Sequence, residues 1–478
     1  MAAILGGGIS GLSAAYYALD NPKIGSVVLF EASDRLGGWI RSNRSSTGAI
    51  FEQGPRTVRL AGLAGKNSLS LIESLNLSSK IVPIKKDHPG ASNRMIYVNK
   101  KLHRLPSSGL DLFKIKTPFK RPLFTAIFND LKAPFVQLED DSLYNFTKRR
   151  LGQDIADNLI SAITCGIYAG NAKELSVKTI MKSAFEAEQS GGTISKGILM
   201  KIFNKNIDSK ETKKSNLITE SNDFTKSSLM QQALHEKWVM WSLQGGLEHL
   251  PISLSNYLES KGISIQLNKK CEKLLFEKDF VILTVNGEVK KYKNVISSLP
   301  AKILANLLQE QHPQLAQELI AIPYVTVGVV NIEFSGNVLN QEAFGFLVPP
   351  KEEIPILGII FDSCIIPQTN STVLTVMMGG AWFNKYFGES PSKETLLSVA
   401  TTAVRDILKI KLDPIAYKVS ILKDCIPQPI VGHSQRVSRI NDYISTRRIP
   451  LALCGSSYEG VGINDVILSA KQAVSNFG

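Results

Sequence analysis

No Cys-x-x-Cys pair and no His-x-x-x-His pair occurs in this chain. Its five cysteines (Cys165, Cys271, Cys364, Cys425 and Cys454) are odd in number and scattered. A disulfide framework, a cysteine-type zinc site and metal catalysis therefore have little support, no metal ligand is assigned, and a reducing compartment is expected. Charged residues are sparse at 20%, against 44% hydrophobic, a balance that excludes a wholly disordered chain. There is no internal repeat. Two uncharged runs could mislead. Met1 to Leu19 lacks a basic start and is glycine-rich at its centre, unlike a signal peptide. Ser363 to Asn384 is long enough to cross a bilayer, but it contains Pro367, Gln368, Asn370, Ser371 and Gly379-Gly380. Two short strands around a turn are predicted there, and no transmembrane helix. What is plentiful is positive charge: the formal net charge is +13. That favours anionic membranes or acidic ligands. No nucleic-acid motif accompanies it, so no nucleic-acid partner is expected. At 478 residues the chain has room for roughly three domains of about 150 residues each.

The amino end carries the strongest local pattern. Ala2-Ala3-Ile4-Leu5 reads as a buried parallel strand, and Gly6-Gly7-Gly8-Ile9-Ser10-Gly11 completes a GxGxxG. An apolar helix over Leu12 to Leu19 follows, ended by Asp20-Asn21-Pro22. A second strand over Ser26 to Phe30 then leads to Glu31. Gly6 allows a tight turn, Gly8 lets the backbone approach a pyrophosphate, and Gly11 lets helix and strand close up. The helix N-terminus offers N–H groups to phosphates, and Glu31 can accept from a ribose diol. The pattern is that of a dinucleotide site.

Further along, Val285-Asn286-Gly287-Glu288 is a hairpin signal. Residues 105–240 read as mostly helical, and the polar stretch Asn204 to Ser228 as a flexible surface excursion. Residues 320–420 alternate as strands. At the carboxyl end, Leu451 to Cys454 is a buried strand, and a final helix is expected to be capped at Asn464 or Asp465. Leu110 to Phe124 interleaves Lys114, Lys116, Lys120 and Arg121 with Phe113, Phe119 and Phe124. It reads either as a membrane-surface segment or as a loop whose aromatics cap a core.

Glu31-Ala32-Ser33-Asp34-Arg35-Leu36-Gly37-Gly38-Trp39 resembles the E-x-x-x-R-x-G-G segment of flavin amine oxidases. Ala49 to Arg56, Ser92 to Val98, Gly166 to Asn171, Trp241 to Glu248 and Tyr458 to Asp465 resemble, in order, the mitochondrial animal branch of the protoporphyrinogen oxidase family. The resemblance implies an α/β (α+β overall) fold with a Rossmann-like FAD domain from separated stretches (1–90, 241–300, 432–478). It also implies a mixed-sheet substrate domain (91–104, 301–431) and a helical, membrane-associated insertion (105–240). The implied reaction is the FAD-dependent, six-electron oxidation of protoporphyrinogen IX by molecular oxygen, with release of H2O2; a polyamine oxidase of the same fold is the alternative. The implied cofactor neighbours are Gly6, Gly7, Gly8, Ile9, Ser10, Gly11, Glu31, Arg35, Gly38, Trp39, Gly54, Pro55, Arg56, Thr57, Cys271 (through its backbone), Ser456, Val461, Gly462 and Ile463. Arg94 is the implied propionate anchor. Phe344, Gly345, Leu347 and Met377 are the implied slot, with core packing the alternative for residues of these types. No catalytic acid or base is identified. Phe346 stands where the family often has His, and Cys165 where animal relatives carry Arg. A homodimer, peripheral on the mitochondrial inner membrane, is implied; no cleavable presequence is visible ahead of Ala2, so import would rest on internal signals.

Overall fold

The computed structural model describes residues 1–198, 200, 227–366, 368 and 370–477. Pro367 and nearly all of the polar stretch 204–228 therefore lie outside the described residues; Ser227 lies inside, and its side chain caps the helix Ser228–His235.

One sheet organises the cofactor half. Its five parallel strands are Ser264–Gln266, Val27–Phe30, Ala2–Leu5, Asn294–Ser297 and Leu451–Leu453, in that spatial order. In chain order this is 3-2-1-4-5, the order of a doubly wound dinucleotide-binding sheet. Side chains alternate between two cores. Ala2 and Ile4 face a layer that includes Ile9–Ala18, Gly62–Ser74, His249–Ser260 and the terminal helix Ile463–Ser475. Ala3 and Leu5 face the antiparallel ribbon formed by Cys271–Phe276, Val281–Val285 and Glu288–Tyr292, together with Ala301–Leu308, Pro313–Ile320 and His433–Thr446. In that ribbon Asn286 and Gly287 have φ of +47° and +77°, and Val285 pairs with Glu288. These are the dihedrals of a type I′ hairpin turn, which is why Asn-Gly stands there.

The second large sheet runs Ala416–Pro427, Tyr324–Ser335, Ser371–Gly380, Ile356–Phe361, Gly345–Leu347, Arg94–Val98, Lys101–Arg104. One face is packed by Lys393–Leu408 around Val330, Val376, Met378 and Phe346. The other meets Ser161–Tyr168 through Val327, Val329, Leu357, Met377 and Leu347. Two expectations change. The uncharged stretch from Ser363 holds a 3-10 turn at Asp362–Cys364 and a single ten-residue strand, Ser371–Gly380, before a helix begins at Phe383. The strand stays whole because neighbours on both sides satisfy its backbone. The insertion also ends earlier: Trp238–Leu243 is a strand pairing with Val58–Arg59 and Ile81–Lys85.

Candidate active site

Three strand ends converge beside the glycine turn. Ser298 donates its backbone N–H and its Oγ–H to the Leu5 carbonyl, at 2.9 Å each, and its Oγ lies 3.2 Å from the Gly6 carbonyl. Cys454 N–H donates to the Ser297 carbonyl. Each glycine of the motif answers a different constraint. Gly6 has φ +101°. A Cβ on Gly11 would sit 1.9 Å from the Gly6 carbonyl oxygen, so only glycine lets the helix close on the turn. A Cβ on Gly8 would meet nothing nearer than the Gly38 Cα at 3.9 Å. Gly8 is thus bare toward open space, which is what a diphosphate needs.

Two helices begin at this place. Ile9–Ala18 starts at Gly8 and Ile463–Ser475 at Gly462, and neither has a side-chain cap. They pack together, with Ser10 Oγ 3.5 Å from the Val466 carbonyl. The expected cap at Asn464 or Asp465 is corrected to Gly462. Asn464 instead donates its side chain to the Arg59 carbonyl at 2.6 Å, and the Asp465 carboxylate folds back over Gly460 and Gly462. The helix end at Gly8 is left bare, whereas the one at Gly462 is faced by its own Asp465 carboxylate, so it is the Gly8 end that fits an anionic dinucleotide.

Around this pair, Glu31 accepts from Gly7 N–H at 2.7 Å and from Ser33, holding the turn. Lys269 N–H donates to the Glu31 carbonyl, which brings the strand start at Cys271 alongside. Burial pushes the Cys271 thiol up to about 11, so it is no nucleophile. Gly38 lies against Gly8, and Gly37 N–H bonds the Gly7 carbonyl. Arg35 clamps this second turn, donating to the Gly38 and Ile40 carbonyls at 2.7 Å each and to Glu248 at 3.1 Å. Trp39 is exposed, and its carbonyl abuts Gly54. Arg56 is buried and bonded to Asp362 Oδ1 at 3.0 Å, while Asp362 Oδ2 accepts from Thr375. That ion pair ties the turn after Gly54-Pro55 to the second sheet. Thr57 follows, half-buried, just before Val58–Arg59. Ser456 and Val461 line a pocket with Tyr168 of the helical layer and Pro427 of the second sheet. The residues present therefore fit a flavin dinucleotide lying across the two helix ends.

Arg94 opens the strand Arg94–Val98 of the second sheet. Its strand runs parallel to Gly345–Leu347, with Arg94 opposite Gly345. Arg94 has no acid partner among the described residues. Partial burial, and then the like charge of Arg59, hold its pKa below the usual arginine value. Gly345 is required by the backbone rather than by slot space: φ is +133° and a Cβ would lie 2.1 Å from the Ile359 carbonyl. Phe344 and Leu347 are half-buried and fall in separate clusters, Leu347 against Gly166 and Ile96, Phe344 with Met240 and Ile360. Met377 sits with Cys165 and Leu357. Phe346 alternates to the opposite face and packs on Tyr97 and Phe361, a core role. Cys165 is likewise core, its thiol pushed up to about 12 by burial. Sequence reading missed Ser298 and Asp362 and gave Asn464 a capping role in place of its bond to the Arg59 carbonyl, because their signal lies only in what the fold brings next to them.

The chain belongs to the flavin-containing amine oxidoreductase family, whose model matches residues 9–476. Within it the chain groups with the protoporphyrinogen oxidases. It is 38% identical to protoporphyrinogen oxidase of Homo sapiens, covering 98% of this chain and 96% of that protein. It is 33% identical to the Schizosaccharomyces pombe enzyme (98% and 96%) and 26% identical to coproporphyrinogen III oxidase of Bacillus subtilis (99% and 97%). Among solved structures, a putative protoporphyrinogen oxidase from Exiguobacterium has a TM-score of 0.77 at 24% identity, covering 99% of this chain and 97% of that one. A putrescine oxidase has a TM-score of 0.68 at 14% identity, covering 100% and 98%. These two likenesses bear on the fold alone.

Proposed function

We propose that this chain is an FAD-dependent, oxygen-requiring protoporphyrinogen oxidase. Protoporphyrinogen IX loses six electrons and six hydrogens in three two-electron steps, and three O2 become three H2O2. The bound flavin supplies the hydride acceptor and passes the electrons to oxygen. The observation that carries this reading is the bare helix end at Gly8, packed beside the helix that begins at Gly462, in a chain whose second sheet bears Arg94 without an acid partner among the described residues.

In this reading Gly6 to Gly11 flank the diphosphate, Glu31 the ribose and the Cys271 backbone the adenine. Arg35, Gly38, Trp39, Gly54, Pro55, Arg56 and Thr57 form the flavin's wall; Ser456, Val461, Gly462 and Ile463 hold its pyrimidine edge. Arg94 pairs with a propionate. Phe344, Leu347 and Met377, with Gly345 between them, keep water from the reacting face. The cofactor unit comprises 1–90, 241–300 and 432–478, supported by the strands each contributes to the parallel sheet.

The protein acts as a peripheral membrane enzyme of the mitochondrial inner membrane, as a homodimer. Support for the membrane part comes from Leu110, Phe113, Ile115, Ile127 and Phe128, each more than half exposed, beside exposed Lys114, Lys120, Arg121 and Lys132. Phe113 stacks on Phe124 there, and Phe124 meets Phe128 edge-on. No helix among the described residues is long and apolar enough to cross a membrane.

The test is porphyrin fluorescence in air with FAD-loaded protein, given protoporphyrinogen IX or, separately, a polyamine. Fluorescence growing with H2O2 in the first arm supports the reading. H2O2 from the polyamine alone would overturn it.

A further inference from the structure

A short run of contacts links Arg59 to Arg94. Arg59 closes the strand Val58–Arg59, where it lies opposite Met240. Met240 packs in one cluster with Phe344, and Phe344 N–H donates to the carbonyl of Asn93, the residue before Arg94. The two arginines thus border the same apolar wall. Their charges also sense each other, since Arg59 contributes to the lowering of the Arg94 pKa. The Arg59 carbonyl is pinned by Asn464, in the first turn of the helix that begins at Gly462. Both side chains are exposed, and neither guanidinium has an acceptor among the described residues. The buried or clamped arginines Arg35, Arg56, Arg149 and Arg150 each have one: Arg35 has Glu248, Arg56 has Asp362, and Arg149 and Arg150 share Glu188.

Like charges held close without a counter-charge cost stability, and such arrangements concentrate at anion sites. One arginine suffices for one carboxylate. Two, on one rim of an apolar wall, suit a ligand with two carboxylates on the same edge.

We propose that Arg59 is a second substrate-binding residue, pairing with one carboxylate of a dicarboxylate porphyrinogen while Arg94 pairs with the other. The inference rests on the function proposed above and names a specificity determinant that function does not require. Arg59 touches only the substrate's periphery, so it sets affinity and selection for diacids rather than the electron transfer.

The experiment compares wild type, Arg59→Gln, Arg94→Gln and the double variant on protoporphyrinogen IX and on its dimethyl ester. Flavin content and melting temperature are read for each. The expected result for Arg59→Gln is a KM for the diacid raised about tenfold, as for loss of a hydrogen-bonded charge. Its kcat, flavin content and melting temperature should stay near wild type, and KM for the ester should not change. An equal KM for Arg59→Gln and wild type on the diacid would overturn the inference, as would an equal penalty on diacid and ester. Loss of flavin in Arg59→Gln would overturn it too, assigning the residue to the cofactor side. Direct titration of product protoporphyrin IX by fluorescence, with Arg59→Lys as rescue, separates affinity from turnover. A wild-type protein inactive on both porphyrinogens would strike the proposed function itself, whereas active wild type with an indifferent Arg59 strikes only this assignment.

Discussion

At the scale of single residues, the glycines of the first turn separate folding from binding. Gly11 has no room for a Cβ, whereas Gly8 has room that the fold leaves empty. Gly11→Ala should therefore lower stability by about 3 kcal/mol or more, as forced overpacking does. Gly8→Ala should leave the melting temperature of flavin-free protein nearly unchanged while raising the flavin Kd by at least about tenfold, because the added methyl stands where the diphosphate approaches. Flavin titration after deflavination, beside thermal denaturation, reads both. Equal stability losses in the two variants would contradict this division. The GxGxxG string already assigns these two roles, and the fold supplies the distances that set their size.

Between elements, buried polar groups join the hairpin around Glu52 to both halves. Glu52 accepts from Leu247 N–H at 2.7 Å and from Ser42 Oγ at 2.8 Å, and the Asn331 side chain donates to its carbonyl. Burial pushes the Glu52 carboxyl up from 4.5 to about 7, against the lowering pull of those bonds and of Arg56. A carboxyl that is raised on folding is bound more tightly by a proton in the native state. Its contribution is whole below pH 4.5 and is lost as pH rises through about 7. The loss is of the order of 3 kcal/mol, because each tenfold gain in proton affinity on folding is worth about 1.4 kcal/mol. Wild-type stability should fall between pH 5 and 7.5, and Glu52→Gln should flatten that fall. Urea melts at several pH values measure it; parallel slopes for the two proteins would remove Glu52 as the cause. The sequence marks Glu52 only as one residue of the segment Ala49 to Arg56. Its environment comes from Asn331, Leu247 and Ser42, which lie far away along the chain or in a different strand.

For the whole molecule, much of the basic and aromatic surface of 110–136 is exposed, while Phe119 is buried with Ile96 and Val98 and Leu123 packs against the same cluster. Apolar area and positive charge on one patch predict binding to anionic vesicles that weakens as salt rises. Phe113→Glu with Phe128→Glu should cut sedimentation with such vesicles severalfold and leave flavin content unchanged, since neither ring touches the cofactor half. Undiminished sedimentation would move the membrane surface elsewhere. Phe119 shows the limit of reading this segment as a string. It stands in the same basic and aromatic alternation as Phe113, yet one ring is inside and the other outside.

The sequence by itself determined the first strand, glycine turn, helix and acid, because those contacts are local and each glycine answers a backbone constraint within a few residues. It also determined the Asn-Gly hairpin, for the same reason, and the family, through short segments in order along the chain. Only the tertiary structure decided what meets across distance. It set Gly462 rather than Asn464 as the terminal helix cap, buried Phe346 while leaving Phe344 half-buried, gave Arg56 to Asp362 and left Arg59 beside Arg94 without an acid. Those outcomes depend on which strands become neighbours, and strand neighbours are chosen by burial summed over two sheets rather than by any local run of residues.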